Sequence, residues 1–251
     1  MERIDYAGRQ HTVYAAGRAL SGDVLANWMG TFAGYAPAER PLPVLDLGSG
    51  TGRFTPALAD TFGGPVFGVE PARSMRQIAE RDAPHAQVRY LDGAAEEIPL
   101  PDNSCGLVLM FLSFHHFPDR QAAAAEIARV LAPNGRVLLR SMFADRMRNL
   151  RWHHFFPRAK EIEERIFPTV AEVTAVFAEA GLRRIALSAV PVRLADNLTE
   201  YADRLRLRAI STFEYLTEAE TEQGFAALDA ALAAETEPTP VDSTSDLLVL
   251  G

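Results

Sequence analysis

Residues Val44 to Arg53, Val-Leu-Asp-Leu-Gly-Ser-Gly-Thr-Gly-Arg, decide how this chain of 251 residues is read. A short apolar run ends in Gly48, Gly50 and Gly52, and helix-compatible sequence follows from Arg53 to Thr61. That pattern predicts a buried strand, a tight turn and a helix N-terminus. Glycine serves where the backbone takes positive φ or where a ligand must come closer than a Cβ allows. The loop could therefore press its amides against a nucleotide-like ligand, but a bare strand-to-helix turn would have the same three glycines.

Asp46 separates the ligands such a loop could hold. It stands two residues before Gly48, beside the mouth of the loop. A dinucleotide would set a pyrophosphate there, on the loop and the helix N-terminus. A carboxylate aimed at the same point would repel it. A ligand with a cationic near end would be attracted instead. S-adenosylmethionine (SAM) has no phosphate and carries an ammonium and a sulfonium. The run Asp-Leu-Gly-Ser-Gly-Thr-Gly resembles motif I of the class I SAM-dependent methyltransferases and matches it without a break.

The residues that follow extend the resemblance. Val66 to Val69 reads as a second strand, and Glu70 lies 20 residues after Gly50, the spacing of an acid that binds ribose. A carboxylate there accepts from both ribose hydroxyls. Val69-Glu-Pro-Ala-Arg-Ser-Met75 is similar to the family's second motif, with Met75 near the adenine. Asp92-Gly-Ala94, after a strand over 86–91, resembles the third. There the resemblance gives Asp92 the adenine amino group and Ala94 a backbone amide, although an Asp in this place also caps helices. The N-terminal segment of the family closes over the cofactor, which would bring Tyr14 or Arg18 to its carboxylate. Cofactor contacts are thus expected at Tyr14, Arg18, Asp46, Gly48, Ser49, Gly50, Glu70, Pro71, Met75, Asp92, Gly93, Ala94 and Met110. A fourth strand over 106–111 departs from the family at Gly106, where an acid is usual. His115 and His116 resemble the histidine pair that follows this strand in many small-molecule members. They are the candidate catalytic residues, and packing or loop structure is the other reading of each.

The implied fold is α/β: a Rossmann-like, doubly wound, mostly parallel seven-stranded sheet with helices on both faces and an N-terminal helical annex. β-α-β alternation with helical segments of ordinary length predicts the parallel sheet. One domain is expected over 1–251. It consists of the annex (1–40), with Leu25, Trp28, Met29 and Phe32 on one helical face, a SAM-binding core (41–142), a lid (143–168) and a helical insertion (192–244) before a last strand at Leu247–Leu250. In the lid, five arginines interleave with Trp152, His153, His154, Phe155 and Phe156. Those five residues are expected to line the acceptor pocket, a planar and partly anionic molecule suiting flat rings beside cations. An amphipathic connector packed by its aromatics is the other reading.

Composition narrows the function classes. A net charge of −8 argues against nucleic acid as a partner. The single cysteine, Cys105, has no internal disulfide partner and suggests a reducing compartment. Residues 1–6 carry no apolar signal segment, and apolar runs such as Leu107–Leu112 are too short to span a bilayer, so a cytoplasmic protein without a membrane partner is expected. No metal is expected. The resemblance implies SAM as cofactor and methyl transfer to an O, N or C nucleophile of a small molecule, giving S-adenosylhomocysteine. The alternatives are a SAM-binding module without catalysis, an NAD-dependent oxidoreductase on a related sheet, and methylation of RNA or protein, which the charge disfavours. The oligomeric state is left open, a homodimer included.

Overall fold

The computed structural model describes residues 20–148 and 150–251 of the chain. Tyr14 and Arg18, expected at the cofactor carboxylate, lie outside the described residues. Two compact units share the remainder. One comprises residues 20–141, 171–189 and 246–251, the other residues 142–170 and 190–245.

The first unit opens with helix α1 (Gly22–Tyr35), whose N-terminus is capped by the Ser21 hydroxyl accepting the Val24 amide. Val24, Trp28, Met29 and Phe32 form its buried face. The stripe is rotated from the one expected, so that Val24 takes the fully buried place and Leu25 is half-buried. Strands and helices then alternate: β1 (Leu42–Leu47), α2 (Thr55–Phe62), β2 (Gly63–Val69), α3 (Arg73–Asp82), β3 (Val88–Leu91), β4 (Cys105–Phe111), α4 (Arg120–Val130) and β5 (Leu131–Ser141). Later elements are α5 (Pro157–Ile166), α6 (Val170–Glu179), β6 (Arg184–Ala195), α7 (Leu198–Arg206), α8 (Glu218–Ala234) and β7 (Val241–Leu250).

The strands form one seven-stranded sheet in the order β3-β2-β1-β4-β5-β7-β6. β1 to β5 pair in parallel, and β7 runs antiparallel to β5. This is the doubly wound sheet the sequence predicts. β1 and β4 read as unbroken apolar runs because both of their faces are covered: Val44, Leu45, Leu107, Val108, Leu109 and Met110 are fully buried. Chain order reverses at β1, which has β2 on one side and β4 on the other, and that reversal opens a crevice at the carboxyl ends of the two strands.

β2 begins at Gly63, ahead of the expected Val66, and Gly64 lies against the backbone of Leu42 with no room for a Cβ. Gly106 likewise has no space for the acid usual at its position, since the Leu42 side chain fills it. β7 starts at Val241, ahead of the apolar run that announces it.

In the second unit an apolar cluster gathers Trp152, Phe156, Ala159, Leu198, Tyr201, Ala202, Leu205, Phe213 and Leu228. Phe213 lies 5.4 Å from Trp152 and 5.2 Å from Phe156, ring centre to ring centre. Gly224, midway along α8, is small because the Phe156 ring packs on its backbone. Leu228 is the buried centre of the α8 face, with Phe225, Ala231 and Leu232 around it. A polar group crosses this core. The Leu150 amide donates to His153 Nδ1 (3.2 Å), so the ring proton is on Nε2, which donates to Glu163 Oε2 (2.7 Å). The Thr212 hydroxyl donates to Glu163 Oε1 (2.9 Å).

These contacts place three of the expected acceptor-lining residues in the core of the second unit. Trp152 and Phe156 are each 2% exposed and His153 is 5% exposed, enclosed by their own unit. They are core residues, as the connector reading has it. His154 is exposed, and Phe155 is half-buried with the Arg151 guanidinium 5.8 Å from its ring centre. α7 ends at Arg206; Arg208 takes φ +50° and a 3-10 turn follows at Ser211–Tyr215. No helix of the described residues is long and apolar enough to cross a membrane.

Candidate functional site

In the first unit Asp46, the glycine loop, Glu70, Pro71 and Asp92 to Ala94 stand at the carboxyl ends of β1, β2 and β3. Gly48, Gly50 and Gly52 take φ of +74°, +57° and +76°, the left-handed conformation that strains any residue with a Cβ. Their amides, however, are already bonded within the fold. Those of Gly48 and Ser49 donate to the Val69 carbonyl (2.8 and 3.2 Å), that of Gly50 to Glu70 Oε2 (3.0 Å), and that of Gly52 to the Ser49 carbonyl (3.0 Å).

At Gly48 and Gly52 protein fills the space the glycine leaves. A Cβ on Gly48 would lie 2.5 Å from the Ser113 Cβ, and one on Gly52 would strike the Tyr90 hydroxyl. Tyr90 lies across the loop from β3, its hydroxyl donating to the Ala83 carbonyl (2.9 Å). Burial pushes that hydroxyl up to about 12, which keeps it a neutral donor. The loop is therefore not a cradle of free amides. The Ser49 hydroxyl is a buried group without a partner among the described residues.

Asp46, 3% exposed, accepts from the Thr55 hydroxyl on Oδ2 (2.7 Å). Burial pushes its carboxyl up to about 6, against the lowering effects of the Thr55 bond and the Arg53 charge. Glu70 is held on both oxygens, by the Gly50 amide on Oε2 and by the Ala72 amide on Oε1 (2.9 Å). A carboxylate has about four acceptor sites, so two remain for a pair of hydroxyls. Burial raises its carboxyl, and the Ala72 and Gly50 amides and the Arg76 charge oppose the rise.

Arg76, one turn into α3, joins the two acid-bearing strand ends. It donates to the Glu70 carbonyl (2.6 Å) and pairs with Asp92 (2.9 Å), whose side chain is 75% exposed. Gly93 sits against Pro99, and Ala94 makes an isolated bridge with Glu97. Met75 is buried in α3, Pro71 is exposed at its entry, and Met110 is fully buried within β4. Thr55, Arg76, Tyr90 and Ser113 were not singled out from sequence. Each acts through a partner on another element or loop, and no spacing rule marks such a residue.

The neighbouring strand end is aromatic and basic. Phe111, the last residue of β4, packs against Phe54 (4.2 Å) and edge-on to Trp28 of α1 (5.0 Å). The guanidinium groups of Arg53 and Arg140 lie 5.3 and 5.1 Å from its ring centre. Leu112 then takes φ +58°, and a 3-10 turn carries His115 and His116 with their ring centres 3.8 Å apart.

Comparison with known proteins agrees with this geometry. Residues 45–139 match the methyltransferase domain family. The chain is 31% identical over 163 residues to the demethylmenaquinone methyltransferase of Bacillus licheniformis, covering 56% of this chain and 70% of that protein. A structure from Anabaena variabilis, described as a methyltransferase from an antibiotic biosynthesis pathway, superposes with a TM-score of 0.73 at 23% identity, covering 90% of this chain and 97% of that one. The [4+2]-cyclase SpnF superposes with a TM-score of 0.61 at 17% identity over 93% of this chain and 83% of that one. At these identities the two structures speak for the fold alone, and the cyclase shows that one such fold serves more than one chemistry.

Proposed function

The chain belongs to the class I SAM-dependent methyltransferases, and from that premise we propose that it methylates an O, N or C nucleophile of a small molecule. The observation that carries the cofactor reading is the internal bonding of the loop amides of Gly48, Ser49, Gly50 and Gly52. A site with those four amides engaged, and with the buried Asp46 and half-buried Glu70 carboxylates at its mouth, favours a cationic ligand over a dinucleotide. SAM supplies a methyl group on a sulfonium, already activated for displacement. Glu70, pinned by two amides, offers its remaining lone pairs to the ribose hydroxyls. Asp46 favours the cationic end. Asp92 and Ala94 take the adenine edge, and Met75 packs beside it.

Displacement at an activated methyl depends mainly on alignment, so the protein needs a base only if the acceptor must lose a proton. His115 or His116, on the turn after β4, would take that proton. The relative named for demethylmenaquinone supports a small-molecule acceptor, as does the acidic net charge.

Titration calorimetry with SAM, S-adenosylhomocysteine and NAD, followed by transfer from SAM carrying a labelled methyl to a panel of phenols, amines and carbon acids, tests the reading. SAM and its product are expected to bind and NAD to leave no heat. NAD binding without SAM binding would overturn it.

A further inference from the structure

Ser113 has no assigned part in the site, yet it is bonded to both halves of it. Its side chain is buried at 7% exposure. Its hydroxyl donates to the Leu47 carbonyl (2.8 Å), at the residue immediately before the glycine loop. Its Cβ occupies the place a side chain on Gly48 would need. Its own carbonyl accepts the His116 amide (2.9 Å), closing the turn that carries the two histidines. The residue before it, Leu112, holds the left-handed conformation, and its amide extends the β4–β5 ladder by donating to the Arg140 carbonyl (2.9 Å). A leucine with positive φ is strained, and such strain persists only where surrounding bonds fix it. The Leu112 and Ser113 bonds do so, on either side of β4.

We propose that Ser113 is a positioning residue that sets the spacing between the cofactor loop and the His115–His116 turn. The inference rests on the methyltransferase reading. Gly48 is then glycine for a second reason besides its φ: the acceptor-side turn docks against it, and any side chain there would push the turn away. Methyl transfer is sensitive to such a shift, because a misplacement of about 1 Å can lower a rate by about a hundredfold. The Ser113 hydroxyl acts on the turn's position, with no direct contact to the reacting atoms.

Ser113→Ala keeps the Cβ that fills the space beside Gly48 and removes only the bond to Leu47. In this variant kcat for the acceptor is expected to fall about tenfold or more, while the Kd for SAM stays within about twofold, because the Glu70 and Asp46 contacts are untouched. Ser113→Thr, which keeps the hydroxyl, should restore kcat. Without any turnover, the imidazole NMR signals of His115 and His116 are expected to move between wild type and Ser113→Ala in the ligand-free protein. Wild-type kcat and unmoved histidine signals in Ser113→Ala would overturn the inference. So would an equal loss in SAM affinity and kcat, which would tie Ser113 to the cofactor loop alone. If Ser113→Ala does not fold, Ser113→Thr decides, wild-type kcat supporting the inference and a loss overturning it. Failure of the wild-type protein to bind SAM would show first in calorimetry, and would overturn the methyltransferase reading and this inference with it.

Discussion

Asp46 is a charge that the fold makes costly to keep. Burial holds its carboxyl at about 6 rather than the ordinary 3.8. A carboxyl raised in the folded state binds its proton more tightly there than in the unfolded chain. Stability should therefore fall as pH rises between about 4 and about 6, by on the order of 3 kcal/mol, and stay lowered above that window. Asp46→Asn keeps the shape and an acceptor for Thr55, so the ligand-free variant should melt higher than wild type at about pH 7 and lose this dependence. It should also bind SAM more weakly, and wild-type affinity should itself drop as pH falls through about 6, where the carboxylate takes up its proton. Calorimetry across that range checks both; SAM affinity equal in variant and wild type would remove Asp46 from cofactor selection. Glu70→Ala is expected to weaken SAM binding by about 1.5–3 kcal/mol, the range for a bond to a charged group. Unchanged affinity in a folded variant would take Glu70 out of the site.

The glycine loop is an element whose shape depends on contacts from β3 and β4 as much as on its own sequence. At Gly48 an alanine combines left-handed strain of about 1–2 kcal/mol with a Cβ 2.5 Å from that of Ser113. Gly48→Ala should be destabilised beyond the strain alone, as read from denaturant unfolding. Gly52 offers a cleaner test. Its Cβ would meet the Tyr90 hydroxyl, with the ring carbon behind it at 3.0 Å. Tyr90→Phe removes the nearest atom and should recover part of the stability lost in Gly52→Ala, a coupling within roughly 0.5–3 kcal/mol. Additive losses in the double variant would show that the loop relaxes away from Tyr90.

At the scale of the whole molecule, the chain builds a second core from segments expected to form a lid and a helical insertion. Residues 142–170 and 190–245 share one unit, and its centre holds the His153–Glu163–Thr212 group. Removing the shared acceptor leaves the His153 Nε2–H and the Thr212 hydroxyl buried without partners, which costs about 1–3 kcal/mol for each. Glu163→Ala should lower stability accordingly and speed amide exchange over Trp152–Phe156 and Ser211–Tyr215. Slow exchange in both segments of the variant would show that the apolar cluster holds them without the polar group.

The order of strands, the parallel sheet and the three acid-bearing strand ends were legible in the sequence, because each rests on local pattern: an apolar run, a glycine turn, an acid at fixed spacing. Val44–Arg53 forms the strand, turn and helix entry for that reason, and Glu70 is the acid that follows β2. The partners that hold those acids were not legible. Thr55 on Asp46, Arg76 between Glu70 and Asp92, and Ser113 against Gly48 meet only when separate elements pack, and their spacings along the chain follow no repeat. The loop misled in one respect: its glycines imply free amides, whereas the tertiary structure bonds those amides to Val69, Glu70 and Ser49. Arginine and aromatic residues over 143–168 look the same in sequence whether they line a pocket or fill a core. Burial decides between the two, and burial depends on α7 and α8, which supply Tyr201, Leu205 and Leu228 from much later in the chain.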